Sequence, residues 1–368
     1  MTTVEYVVIG AGFAGAATAY HLARRGVTDL LILEQEAFPG VHSSGRNAAM
    51  IRQCVPDAAL LALARDGATF LRQLPPDWPE PAQFKRNGSL LLGSGAGWEK
   101  LRGDAQLGRS LGVETEVWTA VQAKRVVPLL KDTEFDGAVW CGTDGVVDIH
   151  ALLLGYLKGA IAKGIRVRYS CQVRSIQSTA DGFEVVTQQD TVKARVLVNA
   201  SGAWANVVAR MTGAVELPLR PYRRHLFVSP PLTWVDAHWP FVWDVTHEIY
   251  FRPEGEGLLL CACDQQEMAP GDPPEDPSVR ELLAEKIQHF MPALKNVPIN
   301  KSWAGLRTIT RDGRFVIGWD PKMERLFWVA GLGGHGVTTS SSVGALAAQL
   351  LIGGRSSKAD AFTPERFL

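Results

Sequence analysis

The stretch Val7-Val8-Ile9-Gly10-Ala11-Gly12-Phe13-Ala14-Gly15 has the pattern of a buried strand running into a glycine-rich turn. Tyr6 to Ile9 is a β-branched run of the kind that forms a buried parallel strand. Gly10, Gly12 and Gly15 stand at G-x-G-x-x-G spacing, and Ala14 to Arg25 has helix-forming composition. In such a turn the first glycine permits the tight bend and the second lets the backbone approach a pyrophosphate. The third lets helix and strand pack closely while the helix amides face the anion. A second apolar run, Leu30 to Leu33, ends in Glu34 and Gln35, about twenty residues beyond the glycines, where a carboxylate can accept hydrogen bonds from a ribose. The expectation is a dinucleotide-binding βαβ unit. Glycines also mark ordinary turns, and an acid at the end of a buried strand can simply face solvent, so the surrounding chain has to carry the reading further.

After Glu34 the chain enters Pro39-Gly40-Val41-His42-Ser43-Ser44-Gly45-Arg46-Asn47-Ala48-Ala49-Met50, small and hydrogen-bonding residues that then acquire helical composition. Ser43, Ser44, Arg46 and Asn47 can serve there as donors to a cofactor, or the segment can be a polar surface loop. Ala58 to Leu74 is an amphipathic helix, and the proline-rich Pro75 to Pro81 breaks it. Helices are expected at Trp98 to Leu111, Thr119 to Val127 and Ala151 to Lys163, with strands at Leu90 to Leu92, Ala138 to Cys141, Ile165 to Val173 and Phe183 to Val186. The run Val196 to Gly202, followed by Trp204, is a buried strand stopping at the small residues Ala200, Ser201 and Gly202, which can pass close under a cofactor.

From about Ala214 the segments become aromatic and strand-like: Arg223 to Ser229, Glu248 to Arg252 and Leu258 to Cys263. They predict an antiparallel sheet with one side open to a cavity. The helix begun by Asp276-Pro277, with Val279, Leu282, Leu283, Ile287 and Phe290 on one face, is expected to cover the other side. The chain returns through Trp303 to Arg307, the strand Phe327 to Ala330 and the glycine-rich Gly331 to Gly336, which feeds a helix from Val337 to Leu351. The fold class that emerges is α/β, a Rossmann-like nucleotide-binding domain with an inserted α+β domain built on an antiparallel sheet. The boundaries expected are 1–80, 144–213 and 305–368 for the first domain, and 81–143 and 214–304 for the second.

With 38 basic and 38 acidic residues the formal charge is zero, so no net field draws the chain to nucleic acid or an anionic membrane. Five cysteines without a C-x-x-C pair or an adjoining histidine cluster point to reduced thiols in a cytoplasmic compartment and to no metal site. Cys261 and Cys263 read as filler on one face of a strand. No secretory leader is expected at the N-terminus. No uninterrupted apolar run reaches the roughly 18 residues of a membrane span.

Assembled, these pieces resemble the flavin-dependent amino-acid oxidoreductases, the superfamily of D-amino-acid oxidase and dehydrogenase, glycine oxidase and sarcosine oxidase. The likeness lies in the N-terminal fingerprint with Glu34, the Gly40 to Ala49 loop, the strand before Trp204, and the pair formed by Trp303 to Arg307 and Gly331 to Gly336. Bacterial D-arginine-type dehydrogenases are the most similar branch over Tyr222-Arg223-Arg224, Ile249-Tyr250 and Trp303 to Arg307. The resemblance, and not the fingerprint, implies FAD rather than NAD. It implies cofactor contacts at Gly10, Gly12, Phe13, Ala14, Gly15, Glu34 and Gln35, and along His42, Ser43, Ser44, Gly45, Arg46, Asn47, Ala48 and Ala49. It also implies them at Val173, at Ala200, Ser201, Gly202 and Trp204, and at Arg307, Gly333, Gly334, His335, Gly336, Val337 and Thr338. Arg224 and Arg307 are implied as the clamp on a substrate carboxylate, with Tyr250 adding a hydrogen bond, since a planar guanidinium grips a carboxylate bidentately. The Gly333 to Gly336 loop and the helix behind it can stabilise negative charge on a reduced flavin. His335 is open between a substrate or flavin contact and a helix cap.

Met50-Ile51-Arg52 resembles instead the sarcosine oxidase branch, where an arginine in a comparable segment approaches the substrate carboxylate. Met50 and Val55 stand where the D-arginine branch has a histidine and a tyrosine, and uncharged Gly88 and Ser89 stand where an acid would recognise a guanidinium. Arginine is therefore not the expected substrate, and the side-chain pocket is expected to be more apolar or to serve a different amine. The implied reaction is hydride transfer from a C–H beside the nitrogen of a small amino acid, a D-amino acid in first place, to the flavin. The resulting imine hydrolyses to a 2-oxo acid, and oxygen, a quinone or an electron-transfer partner takes the electrons. The alternatives are a sarcosine or N-methyl amino-acid oxidase, a 2-hydroxy-acid dehydrogenase, or a non-catalytic flavin subunit of a complex.

Overall fold

The computed structural model describes residues 2–368. Its first sheet is built around Thr2–Ile9, which lies between Thr191–Asn199 and Leu30–Leu33, parallel to both, with Tyr6 opposite Val196 and Leu30. Arg166–Arg168 extends the sheet beyond Leu30–Leu33, and Leu326–Ala330 extends it beyond Thr191–Asn199; both additions are parallel. Val316–Trp319 closes that edge antiparallel, and Gly182–Thr187 with Val173–Thr179 forms an antiparallel branch. Val7, Val8 and Leu30 to Leu33 are fully or almost fully buried, as a strand covered on both faces requires. Phe13–Ala23 packs between Ile149–Ile161 and Gly336–Leu351. The approach is close because small residues meet there: a Cβ added at Gly344 would lie 2.5 Å from the backbone of Ala17.

The second sheet runs Gln266–Glu267, Leu219–Val228, Gly257–Cys261, Ile249–Glu254, Phe241–Asp244, Ser89–Gly93, Gly137–Cys141, Glu116–Thr119, and Lys301–Thr310 pairs along Leu219–Val228. It is antiparallel as expected except at one junction, where Phe241–Asp244 and Ser89–Gly93 run parallel. Two-residue alternation gives its faces different tasks. Phe227, Val242, Phe251 and Leu260 point into a core closed by Val279, Leu283 and Ile287 of the helix Pro277–Phe290, as its apolar stripe predicts. The opposite face carries Arg224, Trp243, Tyr250 and Arg307. The strands of the first sheet fall within 1–80, 144–213 and 305–368 and those of the second within 81–143 and 214–304, except that Lys301–Thr310 runs across position 304.

Two local expectations are corrected. Ile165 to Val173 is not one strand: after Arg168 the chain loops through Ser170, at a φ of +49°, before pairing again at Val173. The helical composition near Asn47 to Met50 does not become a helix. Ala49 takes a φ of +57°, and Met50–Ile51 pairs antiparallel with Gly145–Val146. The five cysteines are buried and unpaired. Among the described residues no helix is long and apolar enough to cross a membrane.

Candidate active site

A cavity of about 590 Å³ runs between the two sheets, from Glu34 and Trp204 at one end to Arg224, Tyr250 and Arg307 at the other. At the first end the glycine turn has the required shape. Gly10 holds a φ of +104°, and a Cβ there would sit 2.7 Å from the Ala200 carbonyl oxygen, so strand end and strand end touch as expected of the small residues. Gly15 lies behind the cavity rather than in its wall; a Cβ on it would come 2.0 Å from the Gly10 carbonyl oxygen. Glu34 is nearly buried, and its two carboxylate oxygens accept from the Ala11 and Glu36 amides at 2.8 and 3.0 Å. The acid thereby holds the turn from the cavity side while keeping lone pairs free for hydroxyl donors.

The loop from His42 to Ala49 lines the cavity apart from Gly45, which packs on the Gly40 carbonyl. Most of its donors are used within the protein. Ser43 donates to the Leu306 carbonyl, Arg46 pairs with Asp272, and the Asn47 amide donates to the Ser43 and Ser44 carbonyls. Ser44 differs: its oxygen accepts from the Phe13 amide at 3.0 Å, which leaves its own hydroxyl hydrogen for the cavity. His42 is tied to Glu36 at 2.8 Å and lies against the Trp204 ring. Gln35, Val173, Ala200, Ser201 and Gly202 also border the cavity.

At the other end strand register explains the convergence. Tyr222 faces Arg307 across an antiparallel pair, so Arg224, two residues on, projects from the same face as Arg307. Tyr250 faces both Trp243 and Cys261, which brings it to that face from the neighbouring strands. The Nε atoms of Arg224 and Arg307 and Nε1 of Trp243 are buried without a hydrogen-bond partner. Burial holds the Tyr250 phenol well above its ordinary pKa, so it stays a donor. Burial works against the Arg224 charge, but the Cys261 and Cys263 sulfurs and Tyr250 around it more than offset this and raise its pKa. Both cysteines are packed in a small buried apolar cluster with Leu226, Tyr250 and Leu259, as strand filler would be.

Arg52 enters from a third direction. Its amide donates to the Thr338 hydroxyl at 3.1 Å, and the next residue, Gln53, is fastened through its amide and side chain to the buried carboxylate of Asp144, which also takes the Ser89 hydroxyl. The Arg52 guanidinium lies 4.3 Å from the Trp243 ring centroid. Arg52 and Trp243 thus share one wall of the cavity with Met50. Trp243 and Asp144 were missed; the only sign of Trp243 is an alternating aromatic run, Phe241 to Asp244, too short to stand out. His335 faces the cavity from the residue before the helix Gly336–Leu351; burial, Arg52 and Arg307 push its pKa down to about 3, so its imidazole is neutral.

Helices Phe13–Ala23 and Gly336–Leu351 both begin at the cavity wall; Ser44 takes the first amide of the former, and the latter has no side-chain cap from its N-cap residue His335. Two helix N-termini at the cavity wall, the glycine turn against Ala200 and the poised Glu34 fit the charges and close backbone approach of a flavin dinucleotide.

Comparison with known proteins agrees with that fit. Residues 5–350 match the family described as DAO, FAD dependent oxidoreductase. Mitochondrial sarcosine dehydrogenase of Homo sapiens is 25% identical over 97% of this chain and 40% of its own length. The formaldehyde-forming 4-methylaminobutanoate oxidase of Paenarthrobacter nicotinovorans is 26% identical over 96% of this chain and 44% of its own. The chain thus spans about two-fifths of the length of these curated relatives. The crystal structure of L-proline dehydrogenase from P. horikoshii superposes with a TM-score of 0.91 at 25% identity, covering 100% of this chain and 98% of that one. The chain belongs to the FAD-dependent oxidoreductase (DAO) family, whose cofactor is FAD.

Proposed function

We propose that this chain oxidises the C–N unit of a small amino acid whose carboxylate is held by Arg224 and Arg307, with Tyr250 donating a further hydrogen bond. The observation that carries this reading is the pair of guanidiniums on one sheet face, each with a buried unpartnered Nε, beside a phenol that burial keeps protonated. FAD, held between the glycine turn and the uncapped helix Gly336–Leu351, would supply the acceptor for the hydride removed from carbon. The protein's own contribution is placement and charge. A bidentate grip fixes which C–H of the substrate faces the cofactor. The arginines raise the electrostatic potential of the cavity, which disfavours an ammonium and favours the free amine whose lone pair drives loss of hydride. His335, neutral with a pKa near 3, is not the base, and none is required if the amine binds deprotonated. The Gly336–Leu351 N-terminus and Arg307 favour the negative charge that accumulates on the reduced cofactor.

Within this class we favour a secondary amine, an N-alkyl amino acid, because the named relatives are a sarcosine dehydrogenase, a methylaminobutanoate oxidase and a proline dehydrogenase. A D-amino acid is the second reading, supported by Arg224, Tyr250 and Arg307 standing together as the D-arginine-type resemblance implies. The test is anaerobic reduction of the FAD-loaded protein by N-methylated amino acids, proline, D- and L-amino acids and 2-hydroxy acids. Bleaching of the flavin band by secondary amines supports the first reading and bleaching by D-amino acids the second. Bleaching by none of the amines would overturn both.

A further inference from the structure

Resting on the carboxylate clamp just described, we propose that the substrate carries a second carboxylate and that Arg52 binds it. The Arg52 guanidinium lies over Trp243, 4.3 Å from its ring centroid, and the Trp243 ring stands 5.3 Å from Tyr250, so Arg52 and the clamp flank one aromatic pair within the same cavity. No side-chain hydrogen bond or ion pair engages the Arg52 guanidinium among the described residues, so its N–H donors are available to a planar anion.

Charge balance identifies what that anion is. Among the described residues no carboxylate pairs with Arg52, Arg224 or Arg307. The acids in the cavity wall are committed elsewhere: Glu34 to the Ala11 and Glu36 amides, Glu36 to His42, Asp57 to Arg314 and Asp312 to Arg366. Asp144, the buried acid behind Arg52, is turned into hydrogen bonds with Ser89 and Gln53. His335 is neutral, and the nearby helix N-terminus adds positive potential instead of relieving it. Burial lowers the pKa of Arg52, Cys54 and Asp144 offset this only in part, and Arg307 opposes the same charge, so this cation stands in the cavity with no carboxylate paired to it. A dinucleotide's pyrophosphate is matched by the glycine turn and the Phe13 helix start, not by these side chains. One substrate carboxylate answers the clamp on the sheet; a second answers Arg52. The class is an amino acid with another carboxylate, placed either on its side chain, as in aspartate, or on its nitrogen substituent, as in iminodiacetate.

The first measurement is equilibrium binding to the FAD-loaded protein, read from the shift of the flavin absorbance on adding glutarate or butyrate, neither of which has a nitrogen to oxidise. Glutarate is expected to bind on the order of 10- to 100-fold more tightly, the scale of one enclosed charge-assisted pair. Arg52→Met should collapse the ratio toward unity and Arg52→Lys restore part of it. Equal affinity of wild type for the two acids, or an Arg52→Met variant that weakens both alike, overturns the inference while leaving the clamp intact. If Arg52→Met fails to retain flavin, the wild-type ratio decides alone. Anaerobic bleaching by iminodiacetate in preference to aspartate places the second carboxylate on the nitrogen substituent, and the reverse places it on the side chain. If monocarboxylic amino acids reduce the flavin and dicarboxylic ones do not, the inference fails and the amino-acid reading stands. If neither acid binds and no amine reduces the flavin, the clamp reading fails and this inference with it.

Discussion

Replacing Asp144 by asparagine isolates a buried charge whose effect on stability has a definite sign. Asp144 is fully buried, and its carboxyl is pushed up to about 6 from an ordinary value of 3.8, because loss of solvent outweighs the hydrogen bonds from Ser89 and Gln53 that favour the anion. The folded protein therefore holds this proton more tightly than the unfolded chain does. The stability it contributes is fully present below about pH 4 and is lost as pH rises through about 6. A shift of about two units, at 1.36 kcal/mol each, corresponds to about 3 kcal/mol across that window. Asparagine does not titrate, yet its carbonyl can accept from Gln53 and its amide can donate to Ser89. Between about pH 4 and pH 7 the variant should thus gain about 3 kcal/mol relative to wild type. Urea unfolding of the two FAD-loaded proteins over this range gives the difference directly, because groups titrating alike in both cancel. A difference that stays flat, or that falls with rising pH, would falsify the reasoning that burial dominates at this site.

Arg307→Met and Arg224→Met should each lower kcat/KM for the best reducing substrate by about 100-fold or more while retaining FAD, as removal of a buried charge-assisted clamp does; unchanged kinetics in either would remove that arginine from the site. Arg307→Lys should recover little, because a lysine cannot make the forked contact. Gly15→Ala places a Cβ 2.0 Å from the Gly10 carbonyl oxygen, so it should cost more than about 2 kcal/mol and abolish co-purification with flavin, checked by absorbance and thermal melting. Since His335 is neutral above about pH 3, the apparent pKa of flavin reduction should follow the substrate amine and not move in His335→Asn; a step near pH 6.5 that vanishes in this variant would contradict that.

Much of the fold was legible because its signals are local. The Gly10 to Gly15 spacing, the apolar stripe from Val279 to Phe290 and the alternation around Arg224 each reflect a period of helix or strand that a short window contains. Where the reading went astray, the deciding contact came from far along the chain. Met50–Ile51 is extended because Gly145–Val146 is there to pair with it, and Phe241–Asp244 runs parallel to Ser89–Gly93 because both complete one sheet. The ion pair of Arg46 with Asp272, more than two hundred residues away, is likewise invisible to any local window.

The nucleotide-binding turn, the acid at the end of the second strand and the residue types able to grip a carboxylate are written locally in the chain, since they rest on backbone freedom and on spacing. Only the tertiary structure decided that Arg52, Arg224 and Arg307 share one cavity with Trp243 and Tyr250, that the acids around it are committed elsewhere, and that Asp144 anchors the arginine-bearing segment. Those facts depend on strand order and register, which bring together residues from distant parts of the chain, and on burial, which sets the cost of each charge enclosed there.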